Sequence, residues 1–270
     1  MKAAVYLLKC LTNMHVGNGE ESYNIIDNEV EKDVVTGNPA IYSSGVKGSL
    51  LQYFKTEKNI DDDTKEYIFG NEYGGSVIKE GNFKFLQAQL LARPMRVSDG
   101  DVSYAMVTTN GILQEFDKHL ETFGVEKNID VVITEENTDD NIFWVNEESH
   151  IKEIEGYKTQ NSLKNTDGLS KLFQTENIAV TSTTIFQDID LPVLARNCLE
   201  NGKSKNLWYE EIVPRESLFY LTVLYPDDCQ NFDKFNSAID QHIVQFGGNA
   251  SIGYGYTKVT NLDERGDQSE

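Results

Sequence analysis

The residues best suited to chemistry lie in one stretch near the amino terminus, from His15 to Leu51. Within it, Asp27 follows two isoleucines, and Lys47 lies between two glycines where a helix is predicted to begin. Small residues let another backbone approach closely, and the free N–H groups of a first helical turn, together with a lysine, suit a phosphate. The sequence therefore predicts that a phosphate chain lies on this turn, with Asp27 nearby.

A predicted helix positions the lysine. Apolar residues recur at helical spacing after Ser43 and Ser44, so we expect the helix to begin there. Its first turn then contains Gly45, Lys47 and Gly48. The alternative is a helix N-cap followed by a solvated lysine, an arrangement that occurs in proteins of every function.

The remaining elements repeat the order strand, helix, strand when the middle of the chain is left out. A helix is predicted over 111–124. Strands are predicted over 2–12, 83–92 (ended by Pro94) and 218–225, and a last strand follows a glycine-rich loop. The helix that begins after Ser44 connects the first two strands, and a helix over 231–246 connects the last two. This order is the split βαβ arrangement of ferredoxin-like folds, which include RNA-recognition domains. The predicted fold is α+β, with a four-stranded antiparallel sheet, both helices on one face, and function on the open face and the loops.

Composition limits the class of protein. The 270 residues carry a formal net charge of −20, which argues against an isolated nucleic-acid binder, since such proteins are normally basic. Acids are concentrated between 126 and 155, so a basic groove elsewhere is compatible with this charge. We expect no signal peptide and no membrane span, since no apolar run approaches about 20 residues. The three scattered cysteines indicate a reducing cytoplasm and argue against a disulfide framework or a cysteine zinc site.

Five sequence blocks occur in the order of one known family. They are His15 with Gly17-x-Gly19; Ile26-Asp27; Thr36-Gly37-Asn38-Pro39 leading to Ser43 through Gly48; Leu207-Trp208-Tyr209-Glu210-Glu211; and the loop from Gly247-Gly248 to Gly253-x-Gly255. In these blocks the chain resembles the RAMP (repeat-associated) superfamily, specifically the multi-copy backbone subunits of type III-B (Cmr) CRISPR effector complexes. It departs from the family's pattern at Val16, where the family often has proline, in the acidic stretch 28–32, and by one extra residue before Lys47.

The resemblance implies a single RAMP domain over residues 1–270 with large insertions. Its parts are a palm core near 1–56, 82–124 and 217–261, an acidic insertion near 125–182, a β-hairpin thumb near 185–216 and a loose tail at 262–270. It also implies partners: a CRISPR guide RNA, a target RNA, further copies of the chain in a filament, and other subunits of the effector complex, with no membrane.

The activity implied by the resemblance is cleavage of target RNA at regular intervals, only within the assembled complex. The thumb displaces a nucleotide pair, and the ribose 2′-hydroxyl then attacks the adjacent phosphorus in line. Asp27 is the implied catalytic residue and a weak ligand for a divalent metal, Mg²⁺ or Mn²⁺, because one carboxylate leaves most ligand positions to water and phosphate. His15 is a weaker candidate acid or base. The alternatives are a turn-forming aspartate and a histidine hydrogen-bonded inside a turn.

RNA contacts are implied in three places. The first turn of the helix grips the guide, the glycine-rich loop lies beside it, and the thumb offers aromatic and cationic side chains to the displaced bases and the backbone. The residues are Ser43, Ser44, Gly45, Lys47 and Gly48; Gly247, Gly248, Gly253 and Gly255; Arg196, Lys203, Lys205, Trp208 and Arg215; and, as weaker candidates, Arg93 and Arg96. The alternatives are ordinary strand-entry turns and an exposed hairpin with a buried tryptophan.

Three other functions compete with this interpretation. The first is a structural guide-RNA filament subunit that does not cleave. The second is the type III-A counterpart, against which the block from Leu207 to Glu211 favours type III-B. The third is a small-molecule phosphate-ester enzyme that uses Lys47 and the glycine loops, and it predicts a monomer without co-purifying RNA.

Overall fold

The computed structural model describes residues 1–19, 25–56, 60–71, 79–125, 142–200 and 203–262. Within these residues the strands are β1 (Lys2–Cys10), β2 (Ala40–Ile41), β3 (Lys84–Phe85), β4 (Ala88–Asp99), β5 (Tyr104–Thr109), β6 (Phe143–Asn146), β7 (Glu153–Ile154), β8 (Tyr157–Leu163), β9 (Ile178–Thr181), β10 (Val193–Glu200), β11 (Lys203–Glu211), β12 (Leu218–Tyr225), β13 (Ile243–Gln245) and β14 (Tyr256–Asn261). The helices are α1 (Ser43–Thr56), α2 (Asp62–Phe69), α3 (Asn110–Phe123), α4 (Asp167–Phe173), α5 (Thr183–Asp188) and α6 (Asn231–Ile239), with a 3₁₀ turn at Ala250–Ile252. Over the described ranges, no helix combines the length and the apolar character that a membrane crossing requires.

Four antiparallel strands, in the order β14–β1–β12–β4, form the centre of a larger sheet. β1 is buried through its middle because the residues there are apolar. Helices α1 and α6 pack on one face of these strands, where the Tyr6 hydroxyl donates to Asn236 at 2.9 Å and the rings of Phe54 and Phe235 stack at 5.5 Å. Along the chain, α1 follows β1 and α6 follows β12, and the two helices cover the same face of this mixed α/β structure.

The opposite face of the sheet is covered as well. Helix α3 places the Phe116 ring 5.0 Å from Tyr220 of β12, and His119 lies 2.6 Å from the Thr222 hydroxyl on the same strand. The expectation of an open sheet face carrying function is therefore wrong, because the apolar side of α3 is buried there. Function is left to the loops and to the hairpin β10–β11.

The region between α3 and the hairpin extends the same sheet. β9 pairs in parallel with β5, and β6 pairs with both β9 and β8. Residues 156–182 of the predicted insertion contain β8, α4 and β9. Segments 126–141, 201–202 and 263–270 lie outside the described residues, so the middle of the acidic insertion and most of the predicted tail cannot be compared with expectation.

The hairpin β10–β11 is a separate two-stranded sheet. It is shorter than the predicted range 185–216, because α5 occupies part of that range and the chain after β11 returns towards β12. Its strands hold the register Ala195–Tyr209 and Arg196–Trp208, with an irregularity after Cys198.

Two predicted boundaries are wrong. Pro94 does not end its strand, because β12 pairs with β4 only as far as Ala92 and the proline therefore costs no hydrogen bond on that side. The helix predicted over 231–246 ends at Ile239, and the chain turns at Gln241, where φ is 60°. Buried Phe246 lies directly after β13 and not on the helix.

Removing the N-cap of α3 tests how much the cap contributes to the stability of the chain. The buried Thr109 hydroxyl accepts the Ile112 backbone N–H at 3.1 Å. We expect Thr109→Ala to lower the free energy of unfolding of the isolated chain by about 1 kcal/mol, measured by urea denaturation. Thr109→Ser keeps the hydroxyl and should restore most of this loss; a serine variant as unstable as the alanine variant would contradict the capping role.

Candidate functional site

The free edge of β11 holds the Asp27 segment. The Asp27 backbone N–H donates to the Tyr209 carbonyl at 3.0 Å, and the Tyr209 N–H donates to Asp27 Oδ2 at 2.7 Å. One residue pair further on, the Glu211 N–H donates to the Asn28 carbonyl at 2.9 Å. The carboxylate is exposed, one of its oxygens is fixed by the hairpin backbone, and Oδ1 has no partner among the described residues.

His15 lies against the same edge. Its Nδ1 is 2.7 Å from the Glu211 carbonyl oxygen, and because a carbonyl can only accept, Nδ1 carries the hydrogen. In the neutral ring Nε2 is then the nitrogen that can take a proton. Tyr209 and Glu211 are two residues apart on one strand, so the anchoring points of Asp27 and His15 are separated by about 7 Å along β11. The His15 ring is only 8% exposed.

The glycine-rich loop packs on the backbone of the His15 segment. The Gly248 N–H donates to the His15 carbonyl and the Gly255 N–H donates to the Asn13 carbonyl, both at 2.9 Å. Gly247 has a φ of 79°, and a Cβ there would lie 2.4 Å from the same His15 oxygen. At Gly247 and Gly255, then, the glycines are required for close packing within the chain, whereas Gly248 stays exposed at the surface.

The start of α1 lies beside this segment. A Cβ on Gly45 would come within 4.0 Å of Val16 Cγ1, which places the first turn of the helix next to His15. Ser43, Ser44, Lys47 and Gly48 are all exposed on that turn, and it contains no acidic residue. The Lys47 ammonium has no ion-pair or hydrogen-bond partner in the part of the chain that the structure describes. The structure thus brings together the lysine turn, Asp27, His15 and the glycine loop.

On the other side of β11 the hairpin is fastened to the glycine loop. Buried Glu210 accepts from Arg196 at 2.7 Å and from the Asn249 side chain at 2.8 Å. The Arg196 guanidinium also lies over the rings of Trp208 and Tyr254, at 5.8 and 5.3 Å from their centroids. Arg196 therefore lies in the predicted thumb, and its guanidinium already binds Glu210 of the same chain.

Glu211 points the opposite way from Glu210 and was not singled out from the sequence. Its carboxylate accepts the Val30 backbone N–H and the Lys32 ammonium, each at 3.0 Å. The sequence signal that could have identified Glu211 was the pair of successive acids next to aromatic residues in a strand. Side chains alternate along a strand, so one of two successive acids must point to each face. Asn249 and Tyr254 carried no comparable signal.

Arg93 requires a correction. It is only 5% exposed and donates to the carbonyls of Phe186 and Ile189 at the end of α5, while its guanidinium packs over the Phe186 ring. Burial lowers the pKa of this guanidinium to about 10. The arginine stabilises the end of a helix inside the protein, so it is not available to an RNA backbone.

The other predicted cations lie at the surface, with different partners. Arg96 pairs with Glu155 of the insertion at 3.7 Å, away from the lysine turn. Lys205 pairs with Glu200 at 2.8 Å near the hairpin tip, where Lys203 is also exposed. Arg215 is exposed, pairs with Glu216 at 3.4 Å, and its backbone N–H binds Asn13.

A divalent metal would find one protein ligand here. Among the described residues no cluster of three or more acids, histidines or cysteines is arranged to hold a metal ion. Asp27 Oδ1 alone is available, and a hard cation needs about six oxygens, so phosphate and water would supply the remainder. The donor set fits a metal that arrives with a nucleic-acid phosphate rather than one held permanently by the protein.

Comparison with known proteins agrees with the sequence blocks. A model of the RAMP superfamily matches residues 7–258. The CRISPR system Cmr endoribonuclease Cmr4 of Pyrococcus furiosus is 28% identical over 293 residues, covering 96% of each chain. In fold, the chain is similar to a chain of the type III-B Cmr-beta complex in its apo state (TM-score 0.76, 20% identity, 97% of this chain and 98% of that one) and to oligomeric Cmr4 from P. furiosus (TM-score 0.71, 24% identity, 97% and 98%).

Proposed function

The chain belongs to the RAMP superfamily, and from this premise we propose that it is a guide-RNA-binding backbone subunit of a type III-B CRISPR effector complex that also cuts the target RNA. The observation that carries the proposal is an exposed carboxylate, Asp27, held on the edge of a protruding hairpin with one oxygen unpartnered among the described residues. Similarity over nearly the whole length to a relative named an endoribonuclease supports the activity.

The proposed guide contact is the lysine turn with the glycine loop. The palm would be the β14–β1–β12–β4 sheet, whose loops converge beside His15. The first turn of the fourteen-residue α1 holds the exposed residues Ser43, Ser44 and Lys47 and no acidic residue, and a helix start of this kind suits a phosphate. Each copy then contributes a weak contact with the guide. Because many copies and the other subunits of the complex bind the same RNA at once, the overall affinity is high.

The proposed cleavage uses Asp27 as the group that takes the proton of a ribose 2′-hydroxyl. The 2′-oxygen bonds to the adjacent phosphorus while the bond to the 5′-oxygen breaks. The leaving 5′-oxygen takes a proton from water, so the products are a 2′,3′-cyclic phosphate and a 5′-hydroxyl. In-line geometry requires a displaced nucleotide, since A-form stacking holds the 2′-oxygen off line. A bound Mg²⁺ or Mn²⁺ would neutralise charge on the phosphate oxygens. His15 Nε2 is the second proton acceptor within the same loop system.

The decisive experiment uses the complex assembled with guide RNA, an end-labelled complementary target and a divalent metal. Cuts at a regular spacing support the enzyme, and an intact target supports the alternative of a structural filament subunit. A monomer that purifies without RNA would instead favour the small-molecule enzyme. We place the protein in the cytoplasm, in keeping with its free cysteines, Cys10, Cys198 and Cys229.

The lysine turn gives a separate prediction. We expect Lys47→Ala to weaken binding of guide RNA by the isolated chain roughly fivefold, the equivalent of about 1 kcal/mol, because one unpaired cation is removed from a phosphate contact. The matched control is Lys118→Ala, which removes an equally exposed lysine from α3 on the opposite face of the sheet. Fluorescence anisotropy with a labelled guide measures both; equal losses in the two variants would mean that the contact is general electrostatic attraction.

A further inference from the structure

We propose that Glu211 is a positioning residue for the proposed cleavage, which sets the Asp27 segment in place, and that its neighbour Glu210 separately sets the hairpin on the glycine loop. The inference rests on the proposed function for its catalytic consequence, but its structural part can be tested without RNA. Both carboxylates are 4% exposed and lie on adjacent residues of β11, and strand alternation sends them to opposite faces.

Glu211 contacts the segment that follows Asp27 at three points and His15 at a fourth. Its backbone N–H donates to Asn28 at 2.9 Å and its carbonyl accepts from His15 at 2.7 Å. Its two carboxylate oxygens accept separately, Oε2 from the Val30 N–H and Oε1 from the Lys32 ammonium, both at 3.0 Å. Through its main chain, Glu211 therefore binds both His15 and the segment that carries Asp27. Through its side chain, it holds Val30 and Lys32 further along the same loop.

The loop that carries Asp27 is also held by main-chain bonds: the Asn28 N–H donates to the Tyr209 carbonyl at 3.1 Å, and the Glu31 N–H donates to the Val16 carbonyl at 2.7 Å. Residues 25–32 form no helix or strand, and their regular pairings are isolated bridges, including Gly17 with Val30 and Asn28 with Glu210. Val30 is buried, so its N–H must find an acceptor, and Glu211 supplies that acceptor. Without this carboxylate the buried N–H is left unsatisfied, and the segment after Asp27 loses its side-chain anchor at Val30, while the main-chain bonds of Asp27 and Asn28 to β11 remain.

Glu210 has different partners and hence a different role. Its oxygens accept from Arg196 at 2.7 Å and from Asn249 at 2.8 Å, which fastens the hairpin to the loop that packs on His15. No side-chain contact of Glu210 reaches residues 25–32 in the described ranges. The two neighbouring glutamates are thus a matched pair: similar in burial and chemistry, but directed to separate parts of the site.

Hydrogen–deuterium exchange on the isolated chain tests the division directly. In Glu211→Ala we expect faster exchange in peptides covering 28–32, where the Val30 N–H has lost its acceptor, and unchanged exchange over 247–255. In Glu210→Ala we expect the reverse. If Glu211→Ala does not fold, Glu211→Gln is measured instead; it keeps an oxygen for Val30 but removes the charge opposite Lys32, so only part of the protection should be lost. The proposal is overturned if residues 28–32 exchange at the same rate in the Glu211 variants as in the wild type. It is also overturned if Glu210→Ala changes exchange over 28–32 as much as the Glu211 variants do.

The assembled complex tests the catalytic consequence. With saturating target in single-turnover conditions, we expect Glu211→Ala to lower the cleavage rate roughly ten- to hundredfold with target affinity unchanged, and Glu211→Gln to recover most of that rate. Glu210→Gln should instead weaken target binding more than it lowers the rate. If the wild-type complex leaves the target intact, the proposed function fails, while the exchange result still decides the positioning role. A wild-type complex that cuts, with Glu211→Ala equally fast, would overturn the catalytic part alone.

Discussion

Replacing Asp27 by alanine should stop target cleavage by the assembled complex, with a fall of about 10²- to 10⁴-fold in the single-turnover rate. Assembly and target affinity should stay at the wild-type level, because the side chain is exposed and, among the residues that the structure describes, it accepts one hydrogen bond, from a backbone N–H of the hairpin. Denaturing gels of an end-labelled target measure the rate, and a binding titration on the same complex measures the affinity.

Asp27→Asn separates chemistry from position. The amide oxygen can still accept the Tyr209 N–H, so the segment keeps its place on β11, but the side chain no longer takes a proton or binds a cation strongly. We therefore expect the asparagine variant to be as inactive as the alanine variant. Full cleavage by Asp27→Asn would show that the residue acts only by holding the loop, and full cleavage by Asp27→Ala would remove it from the mechanism.

Gly247→Ala should destabilise the isolated chain strongly. With φ at 79°, an alanine pays about 1–2 kcal/mol for the left-handed conformation alone. Its Cβ would also lie 2.4 Å from the His15 carbonyl oxygen and 3.0 Å from Val16 Cγ2, so the loop and the His15 segment must separate. We expect a total loss of about 3 kcal/mol, or roughly 6–12 °C in the melting temperature of the isolated chain.

The adjacent glycine supplies the control for this prediction. Gly248 has an ordinary φ, and its Cβ would meet the same His15 oxygen at 3.8 Å, an ordinary contact distance. Gly248→Ala should therefore cost less than about 1 kcal/mol. Calorimetry of both variants distinguishes the packing role from a general sensitivity of the loop; similar melting temperatures for the two would contradict the close approach at Gly247.

Local patterns in the sequence predicted the parts of the site that depend on neighbours in the chain. The start of α1 with Lys47, the strand Leu218–Tyr225 and the amphipathic α3 follow from short-range periodicity, and the structure confirms these elements. The grouping of His15, Asp27 and the glycine loop followed from the family resemblance, not from spacing. Nothing local to Asp27 indicates that its carboxylate binds the backbone of Tyr209, which is 182 residues away in the sequence.

The errors have the same origin. Arg93 was expected at the surface because arginine usually is, but the carbonyls at the end of α5 are brought to it by tertiary packing. The helix over 231–246 was extended because Phe246 continues the apolar spacing, whereas in the structure this buried residue directly follows β13. The buried pair Glu210 and Glu211 could not be recognised until the partners of each carboxylate, on separate loops, were placed beside β11.

The pairing of charges inside the chain has a consequence for how ionic strength acts on it. Several cations around the site already face a carboxylate of their own chain: Lys32 with Glu211, Arg196 with Glu210, Lys205 with Glu200 and Arg215 with Glu216. Counterion release on a polyanion requires cations that are not neutralised beforehand. Each copy should therefore displace few condensed ions, and its association should weaken only gradually as salt is raised, unlike that of a protein that binds through a bare basic surface.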